Sequence, residues 1–402
     1  MRALFVTYPW RSHFYPLVPL ASAVRAAGHE VLVASDPGFA GTITGAGLPA
    51  LPVGPDMGVR TRAAEALAGW DPRRAADTAT PAAVRHRADS YSALAAESAV
   101  AMSKDLFRFA RAWAPDLVVY EPMAVIAPGL ARELGVPSMR MPWGLDYLAS
   151  IVSRRAELLT DMARERDVDV AQAFGDVTLD PCPASLQIPY ALCRQPIRYI
   201  PYNGAATLPH HLRTPPDRPR LLVTWGGSLH DLGWHEGILG PDVVAALARR
   251  SDYDLIVATT EQQRDRYRNL PGNVLHIGPI ALHLVLPTCA GIIHQGGAGT
   301  TMTAMSSGVP QFIVPWAPDA VVNAEQLAKV GAGAHVPPGA LDALEHALTS
   351  FLDELDGYQL AAKRLSDEHR EHPTPARLVP RFERQRADHT GPWAGVASAP
   401  NA

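Results

Sequence analysis

Short apolar runs closed by polar or glycine-rich punctuation recur along the chain and alternate with stretches of helical period. Ala3 to Thr7 is the first such run and reads as a buried strand ending at Tyr8-Pro9-Trp10-Arg11-Ser12-His13. A helix follows, with Leu17, Leu20, Ala21 and Val24 on one face, and Gly28 stops it before the next strand, His29 to Ser35. Pro115 to Glu121 is again a strand, here ending on a carboxylate. Ala127 to Leu134 is a helix, and Ser138 to Met141 begins another strand. The pattern restarts at Arg220 to Ser228, strand into glycine loop, and continues through strands at Tyr253 to Thr260 and Val274 to Ile277. Strands alternating with helices predict two doubly wound α/β halves.

The second half is organised around Gly291 to Ala324. Ile292 and Ile293 end a strand at His294. Gly296, Gly297 and Gly299 follow, then Thr300-Thr301 and a helix to Ser307 that Gly308 closes before the strand Val309 to Val314. The helix N-terminus offers unpaired N–H groups and a partial positive charge, which suit a phosphate. His294 can add a donor to that anion. By themselves these glycines fit an ordinary tight turn as well as an anion site. Pro315 to Asp319 then forms a stiff loop that brings Asp319 to the same crevice, with Asn323 one helical turn on.

Composition narrows the class without choosing a chemistry. The 402 residues suffice for two domains, and 47% apolar with 19% charged is ordinary for a globular protein. A net charge of −4 provides no long-range pull toward nucleic acid or anionic lipid. No apolar run reaches the ~18 residues of a membrane span. Cys182, Cys193 and Cys289 share no CxxC spacing; with no signal peptide, they fit a reducing cytoplasm. The first strand lacks a GxGxxG turn, which argues against a dinucleotide there.

The order HxGGxGT from His294, GVPxxxxP from Gly308, then Asp319 and Asn323-Ala324 resembles the nucleotide-sugar signature of family 1 glycosyltransferases, in particular their bacterial antibiotic-tailoring branch. The N-terminal stretch from Ser12 to Val31, residues 175–186 and residues 198–204 are similar to the same branch. The resemblance implies the GT-B architecture of two Rossmann-like domains facing across a cleft. Residues 1–200 would bind the acceptor, 201–219 would link, 220–385 would bind the nucleotide sugar, and 386–402 would form a flexible tail. It makes His13 the general base, with Glu121 orienting it from a position where relatives usually carry Asp. Ser228 and Gly227, His294, Gly296, Gly297, Ala298, Gly299, Thr300 and Thr301 would hold the diphosphate. Ile280 would pack on the base, and Asp319 and Asn323 would hold the sugar or its phosphates. Trp10, Phe14, Trp143 and Tyr147 would line the acceptor site, and residues 53–97 would cover it as a lid.

Two positions bear on the donor. Met302 stands where plant members carry a ribose-binding Glu, which would leave a 2′-hydroxyl without a partner at a cost of roughly 1–3 kcal/mol and so favours TDP over UDP. Ala320 replaces their sugar-binding Gln, which suits a 6-deoxy or 2,6-dideoxy hexose. The expected reaction is inverting transfer of such a sugar to a hydrophobic aglycone, with no cofactor and no metal. A homodimer or an auxiliary activator protein is compatible with this branch. Two alternatives remain: a nucleotide-sugar epimerase on the same scaffold, and a catalytically silent binding or auxiliary protein.

Overall fold

The structure is a computed structural model that describes residues 1–67, 81–150, 174–232, 239–247, 250–268, 270, 272–337 and 340–387. Its first sheet has seven parallel strands: β1 (Arg2–Val6), β2 (Glu30–Ser35), β3 (Ala50–Pro52), β4 (Leu117–Tyr120), β5 (Ser138–Arg140), β6 (Val177–Asp180) and β7 (Arg194–Pro196). They lie in the order β3-β2-β1-β4-β5-β6-β7. The second sheet has six: β8 (Arg220–Thr224), β9 (Asp254–Ala258), β10 (Val274–Gly278), β11 (Cys289–His294), β12 (Gln311–Ile313) and β13 (Gly333–His335). Their order is β10-β9-β8-β11-β12-β13, and every pairing is parallel.

Both halves are therefore doubly wound α/β domains, as the alternation of runs predicts. The central strands are covered on both faces. Ala3 to Val6 and Leu221 to Val223 are fully buried, which is why they read as unbroken apolar runs and not as alternating ones. In each sheet the strand order reverses direction at one point, between β1 and β4 and between β8 and β11. Open parallel sheets leave a crevice at the carboxyl ends of the strands there.

The division of the chain differs from the expectation at its end. The helix Pro375–Ala387 packs on the helix Val18–Ala26, and Leu378, Val379 and Phe382 sit in the first domain's core beside Phe5, Leu17 and Val24. Arg198 N–H donates to Pro373 O at 2.8 Å, pairing the two stretches of chain that cross between domains. Residues 375–387 thus complete the first domain and do not belong to a second one running to 385. Burial of three apolar side chains on one helical face drives this return.

Part of the expected lid is visible as the helices Val59–Leu67 and Pro81–Trp113, which place Val59, Ala63, Leu94 and Ala95 against Tyr8 and Trp10. Residues 68–80, the 151–173 part of the expected helical region after Trp143, and the tail from 388 lie outside the described residues.

Candidate active site

His13 and Glu121 come from the two strands of the first switch point. His13 lies in the short helix Arg11–Phe14 after β1, and Glu121 directly follows β4. Both are buried. Glu121 Oε1 accepts from Tyr8 N–H at 2.9 Å, and Oε2 accepts from Met123 N–H at 3.0 Å and from the Trp143 indole N–H at 3.1 Å. His13 Nδ1 stands 3.3 Å from Oε2, near enough for Coulomb attraction but not aligned as a hydrogen bond. Burial pushes the Glu121 carboxyl up. Contact with His13, its charge and the two backbone N–H groups outweigh this, and the carboxyl titrates below its ordinary range. One extra methylene relative to Asp has not separated the pair, so Nε2 of His13 can accept a proton from a hydroxyl while Glu121 stabilises the resulting imidazolium.

The second switch point carries the glycine loops. After β11, the helix Ala298–Ser307 has Gly297 as its N-cap and no side-chain cap. Among the described residues the N–H groups of Ala298, Gly299 and Thr300 have no acceptor, while that of Thr301 bonds Gly297 O at 3.0 Å. These groups and the helix dipole make an anion cradle. Gly296 has φ +87°, and a Cβ there would come 2.8 Å from Ile313 Cγ2 and 2.9 Å from Ala320 Cβ. Only glycine lets this turn form. Gly308 closes the helix at φ +70°. On the β8 side the steric demand falls on Gly226, at φ +63° and packed over Gln295, whereas Gly227 borders open space. Ser228 opens the short helix Ser228–Asp231 beside it, half-buried. Ile280 is half-buried in the loop after β10, against Leu222, Ile256 and Leu286.

Asp319 sits in the first turn of the helix Pro318–Lys329. Burial pushes its carboxyl up, while its own N–H, that of Ala320 and the charge of His13 pull it down. Burial prevails, so the carboxyl titrates above its ordinary range.

Four expectations need correction. His294 is not a free donor to an anion. Its Nδ1 accepts from Gly296 N–H at 3.1 Å, and its Nε2 pairs with Gln311 Oε1 at 2.9 Å, so both nitrogens shape the loop. Burial pushes its pKa down to about 4, which keeps it neutral. Asn323 Nδ2 donates to Gly296 O at 2.8 Å, again bracing the loop and not a sugar. Phe14 is fully buried in the first domain's core, edge-on to Phe39, and cannot line an acceptor site. Met302 is also fully buried, wedged against Gly144 and Leu145 of the other domain, so the argument from an unpartnered 2′-hydroxyl loses its footing.

The other acceptor residues divide. Trp10 lines a cavity of about 250 Å³ with Tyr15, Arg60 and Tyr202. Tyr147 is half-buried at the start of the helix Tyr147–Ser150. Trp143 instead joins the dyad, its ring 3.9 Å from that of His13. The sequence reading missed Gln311, whose Nε2 also donates to Thr301 O at 3.1 Å, and Gln295, a buried amide between the two glycine loops. A glutamine inside the apolar run Val309 to Val314 was the available signal for the first. Among the described residues no group of three His, Cys, Asp or Glu side chains could hold a metal, and no helix is long and apolar enough to cross a membrane.

A buried His–Glu pair at one switch point and an uncapped helix N-terminus at the other fit the GT-B glycosyltransferase architecture that the sequence resemblance implies. Comparison with known proteins gives the family. Profiles described as "Erythromycin biosynthesis protein CIII-like", N-terminal and C-terminal domain, match residues 22–226 and 242–384, and the chain belongs to this family of antibiotic-tailoring glycosyltransferases. It is 36% identical to the 10-deoxymethynolide desosaminyltransferase of Streptomyces venezuelae, covering 98% of this chain and 99% of that one. It is 33% identical to the TDP-daunosamine transferase DnrS of Streptomyces peucetius, over 98% of both. Among solved structures, the spinosyn rhamnosyltransferase SpnG complexed with thymidine diphosphate superposes with a TM-score of 0.79 at 30% identity, covering 95% of this chain and all of the other.

Proposed function

We propose that the chain transfers a deoxysugar from a TDP donor to a hydrophobic aglycone, inverting the anomeric carbon, with His13 as general base. The observation that carries this reading is the geometry of the two switch points: a proton acceptor backed by a buried carboxylate opposite a cradle of free N–H groups. As the acceptor oxygen attacks the anomeric carbon, its proton passes to His13. Glu121 holds the imidazolium that forms. The bond from the anomeric carbon to the diphosphate oxygen breaks, and its electron pair leaves with TDP. The charge that develops on the diphosphate meets the N–H groups of Ala298, Gly299 and Thr300, with Ser228 beside them. Attack from the face opposite the leaving group gives inversion. Asp319, in the first turn of the helix Pro318–Lys329 and within electrostatic reach of His13, would hold the sugar. TDP-sugar is a co-substrate here, and no cofactor takes part.

The choice of TDP now rests on the relatives, one named for a TDP sugar and one solved with thymidine diphosphate. The sugars in their names, desosamine, daunosamine and rhamnose, make a deoxyhexose the expected cargo. Calorimetric titration with TDP and with UDP, no metal added, tests the donor assignment. TDP should bind at least about tenfold tighter, a difference of ~1.4 kcal/mol. Equal binding removes the thymidine preference and leaves the transferase. Failure of both to bind removes the diphosphate cradle.

A further inference from the structure

Trp143 is out of place for a residue expected to line the acceptor. Its indole N–H donates to Glu121 Oε2 at 3.1 Å, and its ring lies over His13 with centroids 3.9 Å apart and planes 32° apart. The same Oε2 already accepts from Met123 N–H at 3.0 Å. His13 Nδ1, the third group to approach this oxygen, is left at 3.3 Å without a completed hydrogen bond. A carboxylate oxygen has two lone pairs in its plane, and both are engaged before the imidazole arrives. Trp143 and His13 therefore compete for one atom.

Trp143 is also firmly held. Its loop is pinned by Asp146, which takes both arms of the buried Arg140 guanidinium, at 2.5 and 2.8 Å. Asp146 N–H donates to Gln187 Oε1 at 2.8 Å. From the other domain Met302 packs on Gly144, the next residue, where a Cβ would meet its Cγ at 2.8 Å. A side chain fixed this closely is a defined part of the dyad and not a mobile wall.

We propose that Trp143 is a positioning residue that sets how strongly Glu121 holds the protonated His13. The inference rests on the reading of His13 as the base. The indole N–H satisfies part of the carboxylate's charge and so weakens its pull on Nδ1–H. The ring fixes the imidazole plane at the same time. This keeps the imidazolium less stabilised than a full Glu–His bond would make it. Among the described residues, Tyr8, its ring 5.4 Å away, and Asp319 also act on or feel His13. Asp36 and Arg62 act on Tyr8 in turn.

The test needs no substrate. In protein labelled with ¹³C-histidine, the His13 signal is assigned by its loss in His13→Gln, and its titration midpoint is followed by NMR. Trp143→Phe keeps a ring over the imidazole and removes only the N–H. The expected result is a midpoint raised by about half a pH unit or more, because Oε2 becomes free for Nδ1–H. In a Glu121→Gln background the same exchange should leave the midpoint in place. An unmoved midpoint in Trp143→Phe, or an equal shift with and without the carboxylate, overturns the proposal. A merely structural tryptophan would lower the melting temperature and leave the titration alone. Should Trp143→Phe not fold, the indole ¹H–¹⁵N signal of Trp143 in the parent serves instead. It should move upfield in Glu121→Gln, and no movement refutes the contact. Transfer by His13→Ala at the parent rate would end the base assignment itself, an outcome separate from either titration result.

Discussion

The two switch points occupy equivalent places in two sheets of the same topology, yet they are furnished in opposite ways. At β1/β4 the proposed working groups are side chains, His13 and Glu121, and the backbone serves them: Tyr8 and Met123 lend their N–H groups to the carboxylate. At β8/β11 the proposed working groups are backbone N–H, and the side chains serve them: His294, Gln311 and Asn323 spend their hydrogen bonds on Gly296, Thr301 and one another. The difference follows the chemistry. A proton must be accepted by a group that titrates, whereas a diphosphate needs only a fixed field, and a rigid backbone provides that with no reorganisation.

Breaking each side separately sharpens the contrast. His13→Ala should lower kcat by about 10²–10⁴-fold while TDP affinity by calorimetry changes little, because the donor cradle is untouched. Glu121→Gln should cost less, about 10-fold or more in kcat, since the imidazole stays but loses its charge partner. A Gln variant as active as the parent would reduce Glu121 to a packing residue. On the donor side, Gly296→Ala should weaken TDP binding at least about tenfold, because the left-handed turn and the Ile313 and Ala320 contacts forbid a methyl. Unchanged affinity would show that the cradle forms without this turn. Asn323→Ala removes one brace and should weaken TDP about threefold to tenfold, with kcat nearly intact. A fall in kcat instead would return Asn323 to the sugar.

The smallest effect is one of pH. Burial depresses His294 to about 4, below its ordinary 6.5. Its neutral form contributes stability that is complete above pH 6.5 and declines as the pH falls toward 4, since the unfolded chain binds the proton first. The loss between pH 7 and pH 5 is about 1–2 kcal/mol. Urea midpoints should fall over that interval more steeply in the parent than in His294→Gln, and equal slopes would contradict the buried neutral ring.

The sequence displayed what periodicity and punctuation encode. Buried parallel strands declare themselves as apolar runs, so the strands of both sheets were legible, with His13, Glu121 and the glycine loop at their ends. Where a side chain points was not legible. His294 and Asn323 look like ligand groups by residue type, and only register reveals that Gln311, on the neighbouring strand, and Gly296 claim them. Trp143 read as an acceptor wall because nothing in a linear order shows that β5 delivers it to the end of β4. The last helix was misassigned for a related reason: its apolar face does not say which core it will join.

That last helix also constrains how the protein comes into being. The first domain's core joins Phe5 and Leu17 to Leu378 and Phe382, at opposite ends of the chain. On a ribosome that domain cannot finish assembling when its own strands emerge. It waits through synthesis of the whole nucleotide-binding half, which can fold in the interval, so the half made first is completed last. The first half spends that time with part of its apolar surface uncovered, until Leu378, Val379 and Phe382 arrive.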